Sequence, residues 1–178
     1  MHEMFHDHPE LIVARLAEPY GPFDSMLDLG SGGGVVGLNN WNIPHDRIHT
    51  LDIFPPETPW LNFTLGNALD AEKIFGPKSF DVVMAAELLE HLPKEDGPKL
   101  LAVCESVARK FVIITTPNGF LEQDPALAPN EPWAKNPYQK HLCGWLPHEL
   151  EALGYEVGLN GAPGAVDGHQ IIAWKIPK

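Results

Sequence analysis

Apolar residues in this chain come in short unbroken runs separated by glycine, proline and charge. Met26-Leu-Asp28-Leu, Ile48-His-Thr-Leu-Asp52, Ser79-Phe-Asp-Val-Val-Met84 and Phe111-Val-Ile-Ile-Thr115 are each of strand length. The continuous apolar run that ends at Met84 suits a parallel strand covered on both faces. Leu61-Asn-Phe-Thr-Leu65 alternates like a further strand, and Tyr155–Leu159 and Gln170–Ile176 flank a glycine-rich turn from Gly158 to Gly168. Between the strands the spacing becomes helical. Leu11, Ile12, Ala14 and Leu16 follow an Asp7 cap with Pro9 in the first turn. Leu100, Leu101, Val103, Cys104 and Val107 form the inward side of a helix over 93–109, and Leu146–Leu153 forms another, with Pro147 at its start and Gly154 closing it. Strand and helix in alternation predict an α/β domain with a mostly parallel sheet. With 178 residues, one domain spanning 1–178 can bury its own core.

The first strand runs directly into glycine: Met26-Leu-Asp28-Leu-Gly30-Ser31-Gly32-Gly33-Gly34. A strand that must turn into a helix while its backbone approaches a ligand needs residues without a Cβ, and the helix that follows aims free N–H groups at whatever lies above. Val35 to Asn40 supplies that short helix. Two frames fit. A dinucleotide fingerprint can be read at Gly32, Gly34 and Gly37, but its first glycine then falls several residues past the strand. The frame at Gly30 has Val35 where a dinucleotide site needs its third glycine. Asp52 ends the second strand 22 residues after Gly30, where Rossmann-like sites place an acid on ribose hydroxyls. A carboxylate suits a vicinal diol because it offers two acceptors to two donors.

A second cluster follows the strand ending at Met84. If Ala85–Leu92 forms a helical turn, Glu87, Glu90 and His91 share one side and Leu88, Leu89 and Leu92 the other. The alternative is an ordinary solvated face. Carboxylates and an imidazole beyond a strand's carboxyl end invite a cation, and an oxygen-rich set suits Mg²⁺ or Mn²⁺ better than structural zinc. Without a metal, His91 or His141 is the best general base. The stretch from Pro117 to Lys140 carries Pro117, Pro125, Pro129, Pro132 and Pro137; so long a connection is usually functional. It reads as a substrate-covering loop, with Phe120, Trp133 and Tyr138 as packing or stacking residues, and the helix within 1–22 reads as a cap on the cofactor mouth.

These motifs resemble those of the class I S-adenosylmethionine (SAM)-dependent methyltransferases. The resemblance implies a seven-stranded Rossmann-like sheet, mostly parallel, with helices on both faces and an antiparallel C-terminal hairpin. It implies SAM contacts at Asp28, Gly30, Ser31, Gly32, Gly34, Asp52, Ile53, Asn67, Ala68 and Glu87. Asn67 stands where the family often has an Asp that meets the adenine amino group. The Glu-x-x-Glu-His pattern further resembles the ubiquinone-pathway O-methyltransferases and the small-RNA 3′-terminal 2′-O-methyltransferases, which implies a divalent metal, Mg²⁺ or Mn²⁺, on Glu87, Glu90, His91 and His141. In that reading Glu90, His91 and His141 are also the catalytic set.

Charge narrows the acceptor. There are 24 Asp and Glu against 12 Lys and Arg, a formal net charge of −12, which argues against nucleic acid and anionic membranes. Arg109-Lys110, between a helix and a strand, reads as two solvated ends. His2, His6 and His8 read as part of a helix lead-in rather than a metal site. Two cysteines, Cys104 and Cys143, build no disulfide framework. With no apolar run of membrane length and no signal pattern, a soluble, cytoplasmic protein is expected. The expected activity is O-methylation of a small hydroxylated molecule such as a sugar or other diol. A non-catalytic SAM-binding or partner-docking domain, an RNA 2′-O-methyltransferase and a nicotinamide dehydrogenase are the alternatives.

Overall fold

The computed structural model describes residues 3–5, 9–32, 41–57, 62–161 and 170–178. Gly34, the helix read over 35–40, the Asp7 cap, His2, His6 and His8, and positions 162–168 of the glycine-rich turn lie outside these residues.

The strands are β1 (Glu3–Phe5), β2 (Met26–Leu29), β3 (Ile48–Asp52), β4 (Phe63–Leu65), β5 (Phe80–Ala86), β6 (Ala108–Pro117), β7 (Glu156–Asn160) and β8 (Gln170–Lys175). They form one sheet in the order β1-β7-β8-β6-β5-β2-β3-β4. β8 runs antiparallel to both β6 and β7, and the other pairs are parallel. This is the seven-stranded, mostly parallel arrangement expected, extended by β1. The extra strand had no sequence signal beyond three residues. Gly158 accommodates it: a Cβ there would stand 2.3 Å from the Phe5 ring. Gly158 thus belongs to the strand, and the chain turns later, at Gly161.

Alternate residues of each central strand feed two cores. Val83, Ala85, Val112 and Ile114 face Leu100, Leu101, Cys104 and Val107 of helix α3 (Gly97–Val107) and Leu150 of α4 (Pro147–Ala152). Helix α2 (Ala71–Phe75), a short element the hydrophobic pattern did not announce, also packs on this side. Val82, Met84, Phe111 and Ile113 face Ile12, Val13 and Ala17 of α1 (Pro9–Ala17) on the other. Both faces are covered, which is why these strands read as unbroken apolar runs. Among the described residues, no helix is long and apolar enough to cross a membrane.

From β2 the chain winds one way through β3 and β4, and from β5 it winds the other way. The carboxyl ends of β2 and β5, paired from Met26↔Val82 to Asp28↔Met84, therefore bracket a topological switch point, where open α/β sheets bind ligands.

Candidate active site

The glycine loop stands at that switch point. Gly30 has φ +71°, a left-handed backbone that other residues adopt only with strain, and its N–H donates to the Leu51 carbonyl at 2.8 Å. Gly32, at φ +54°, donates its N–H to Asp52 Oδ2 at 2.8 Å, while Phe54 N–H donates to Asp52 Oδ1 at 2.8 Å. Asp52 thus braces both the loop and its own turn, and each oxygen retains a further lone pair for a ligand hydroxyl. Asp28 is buried in β2 directly below the loop, and Ser31 is half-buried within it. A cavity in front of the loop is lined by Gly30, Asp52, Ile53, Asn67, Ala68 and Glu87, all residues expected at a cofactor. Asn67 spends its amide oxygen locally, accepting from Leu69 N–H at 2.9 Å to cap the turn Ala68–Asp70.

Beyond β5 the backbone departs from the expected helical turn. Glu87 has φ +50° and its N–H donates to the Thr115 carbonyl at 2.9 Å; a one-turn 3₁₀ helix, Leu89–His91, follows. A non-glycine residue held left-handed is a strain that surrounding contacts must enforce. The consequence is that Glu87 and Glu90 do not share a helical face. Glu87 Oε1 instead accepts from Thr115 Oγ1 at 2.8 Å and Gln170 Nε2 at 2.7 Å.

Glu90 is 1% exposed. Its Oε2 accepts from Thr116 Oγ1 at 2.8 Å; its buried Oε1 receives no N–H or hydroxyl donor, and the Glu87 carboxyl lies close enough to share a proton with the Glu90 carboxyl. Burial first, and the Glu87 charge second, push the Glu90 carboxyl up to about 8. His91 Nδ1 lies 3.1 Å from the Lys140 carbonyl and His141 Nδ1 lies 2.7 Å from the Leu121 carbonyl. A carbonyl only accepts, so each Nδ1 carries the hydrogen and each Nε2 is left as a lone-pair donor. The two rings meet edge-on, with centroids 4.7 Å apart. Burial and the neighbouring His141 lower the pKa of His91, against the opposing pull of the Lys140 carbonyl.

One ligand atom from each of Glu90, His91 and His141 lies within 4.8 Å of the others. Among the described residues these three form the group that could hold a metal ion, and Glu87 stands outside it.

His141 arrives from fifty residues away because the backbone is clamped there. Leu142 N–H donates to the Glu90 carbonyl at 2.7 Å, His141 N–H to Gln123 O at 2.9 Å and Gly119 N–H to Trp145 O at 2.7 Å. Gly144 permits the crossing, since a Cβ would lie 2.4 Å from Phe120 N. Lys94 completes the clamp: its Nζ donates to Gly144 O at 2.7 Å and Glu149 Oε2 at 2.8 Å, and sits 3.6 Å above the centre of the Trp145 ring. Neither Lys94 nor Gly144 was singled out in the sequence; only their spacing, three residues beyond each histidine, hints at the pairing.

No protein-family model matches the chain, and no curated protein sequence matches it. Solved structures do. The N-terminal domain of EvdMO1, solved with S-adenosylhomocysteine bound, is 16% identical with a TM-score of 0.65, over 97% of this chain and 83% of that one. The 1,6-didemethyltoxoflavin-N1-methyltransferase of Burkholderia thailandensis, bound to its substrate and S-adenosylhomocysteine, is 16% identical with a TM-score of 0.61, over 97% and 80%. A SAM-dependent methyltransferase from Archaeoglobus fulgidus is 20% identical with a TM-score of 0.57, over 93% and 94%. The fold is therefore that of the Rossmann-like, SAM-dependent methyltransferases.

Proposed function

We propose that this protein is a SAM-dependent O-methyltransferase acting on a hydroxyl of a small molecule, with a divalent cation held by Glu90, His91 and His141. The methyltransferase part is supported by the fold and by the cavity where Gly30, Asp52, Ile53, Asn67 and Ala68 meet. The observation that carries the metal is the buried Glu90 carboxyl, which receives a single hydroxyl donor and has an oxygen within 4.8 Å of a ligand nitrogen of each of two imidazoles, whose Nδ1 atoms are already committed to backbone carbonyls. Metal-ligating histidines are characteristically oriented in this way, the outer nitrogen donating to a carbonyl. Two imidazoles and one carboxylate are a softer donor set than the one expected from the sequence, and favour Mn²⁺ or another first-row ion over Mg²⁺.

The chain's own residues divide the work. Asp52 presents acceptors for the ribose hydroxyls, and the Gly30–Gly32 backbone gives close access to the methionine end. SAM supplies a methyl on a sulfonium, passed in line to the acceptor oxygen with release of S-adenosylhomocysteine and a proton. Most of the rate advantage would come from this alignment. When bound, the cation would lower the pKa of an acceptor hydroxyl and clamp a second oxygen, which is why a vicinal diol fits. His91, kept neutral by burial, is otherwise the group that takes the proton.

The test pairs binding with product analysis. S-adenosylhomocysteine should bind and NADH should not, Asp52→Ala should weaken that binding, and Mn²⁺-dependent methylation should fall on diol hydroxyls. Stabilisation by NADH alone, or methylation only at nitrogen or carbon, would sink the reading.

A further inference from the structure

The proline-rich segment crosses the sheet further than a cover for the acceptor requires. It leaves β6, yet its turns Pro132–Lys135 and Pro137–Gln139 reach the stretch that follows β3, where Lys135 Nζ meets Glu57 Oε1 at 2.9 Å. There Asn136, Tyr138 and Gln139 complete the wall of the same cavity that Gly30, Asp52 and Asn67 line.

The placement is fixed from within. Asn136 Oδ1 accepts from Tyr138 N–H at 2.9 Å, Gln123 Nε2 donates to Gln139 O at 2.8 Å and Lys140 pairs with Asp124 at 2.7 Å. The next carbonyl, that of Lys140, is the one that orients His91.

We propose that this segment is a wall of the cofactor site: Tyr138 packs on the cofactor's adenosine moiety, Asn136 positions Tyr138, and both act before any acceptor is present. The inference rests on the SAM reading above. It assigns to the cofactor two residues that the sequence places on a substrate loop. The same wall continues into an adjoining space of about 460 Å³, where Asn136 and Gln139 stand opposite Gly32 and Phe54, so the segment borders the glycine loop along its length.

The test is calorimetric titration with S-adenosylhomocysteine in the absence of acceptor. Tyr138→Ala should bind roughly tenfold more weakly, the upper size of one aromatic contact, and Asn136→Ala should weaken binding too. Tyr138→Phe should keep wild-type affinity, as should Leu127→Ser, an exposed position in the same segment away from the cavity. Hydrogen exchange supplies a readout on the unmodified chain: S-adenosylhomocysteine should slow the amides of residues 133–140. Alanine variants within twofold of wild type, or unchanged exchange while the ligand binds, would overturn the inference and leave the cofactor reading standing. Failure of the wild type to bind S-adenosylhomocysteine would bring down both.

Discussion

Two carboxylates, Asp81 and Glu90, are buried at opposite ends of the sheet, and their surroundings differ in kind. Asp81 lies near the amino end of β5 and is 3% exposed. Its Oδ1 accepts from Arg109 Nε at 2.7 Å, and its Oδ2 from Asp24 N–H at 2.8 Å and Lys110 Nζ at 3.1 Å. Burial would raise its pKa, but the Asp24 amide and the two cations outweigh that and hold it below the usual carboxylate range. Glu90, at the carboxyl end, has one hydroxyl donor, one orphaned oxygen and a second carboxylate beside it. A buried charge persists when paired and is costly when not. Asp81 is complete as folded; Glu90, on the proposed function, is completed by a cation.

The largest effect follows from opening the complete end. Removing both cations, in Arg109→Ala/Lys110→Ala, leaves Asp81 buried with only the Asp24 amide and should cost about 3 kcal/mol in urea unfolding. Turnover should stay within about twofold, since no group at that end touches the site; a collapse of activity at unchanged stability would break the contrast.

Neutralising each carboxylate should then give opposite signs. Asp81→Asn should destabilise, whereas Glu90→Gln in chelator should gain about 1 kcal/mol or more at pH 7, because folding no longer has to protonate a buried carboxyl. Equal destabilisation by both would mean Glu90 is as well satisfied as Asp81.

The smallest effect is in pH. Glu90 holds its proton up to about 8 in the folded chain, whereas an unfolded glutamate releases it near 4.3. The folded state therefore binds more protons in this interval, and stability falls as pH rises. Burial of neutral His91 works the other way below its ordinary value, so the clean window lies above pH 7. In chelator the Tm should drop by a few degrees from pH 7 to 8 and stay flat in Glu90→Gln. Asp81 behaves inversely: its contribution is present above the ordinary aspartate pKa and is lost only as pH falls through its lowered value.

What was legible in the sequence was local. Gly30, Gly32 and Asp52 stood out because a tight turn and a strand end impose fixed residue types at fixed spacing. Glu90 and His91 stood out because adjacent residues stay adjacent in any backbone. The helical turn expected to carry Glu87 with them did not form: Glu87 turns left-handed and bonds across to Thr115 and Gln170, partners 28 and 83 residues away, and meets Glu90 from there without joining the Glu90, His91 and His141 group. Arg109 and Lys110, read as solvated ends, are indeed about two-fifths exposed, but β6 starts at Ala108, so both lie on a strand and pair with buried Asp81, a partner 28 and 29 residues away. Likewise the Lys94 clamp and the crossing of the proline-rich segment to Glu57 depend on chain closure over long distances, which hydrophobic periodicity does not encode.

The central claim is that Glu90, His91 and His141 are one cation short. The most direct measurement is a calorimetric titration of the metal-free protein with Mn²⁺ at pH 7.5, run beside His141→Ala and Glu90→Gln. One ion per chain should bind the wild type, with affinity falling more than about a hundredfold in either variant, beyond the loss usual for outer-shell partners. Absence of binding in the wild type, or equal binding in all three, would contradict the claim.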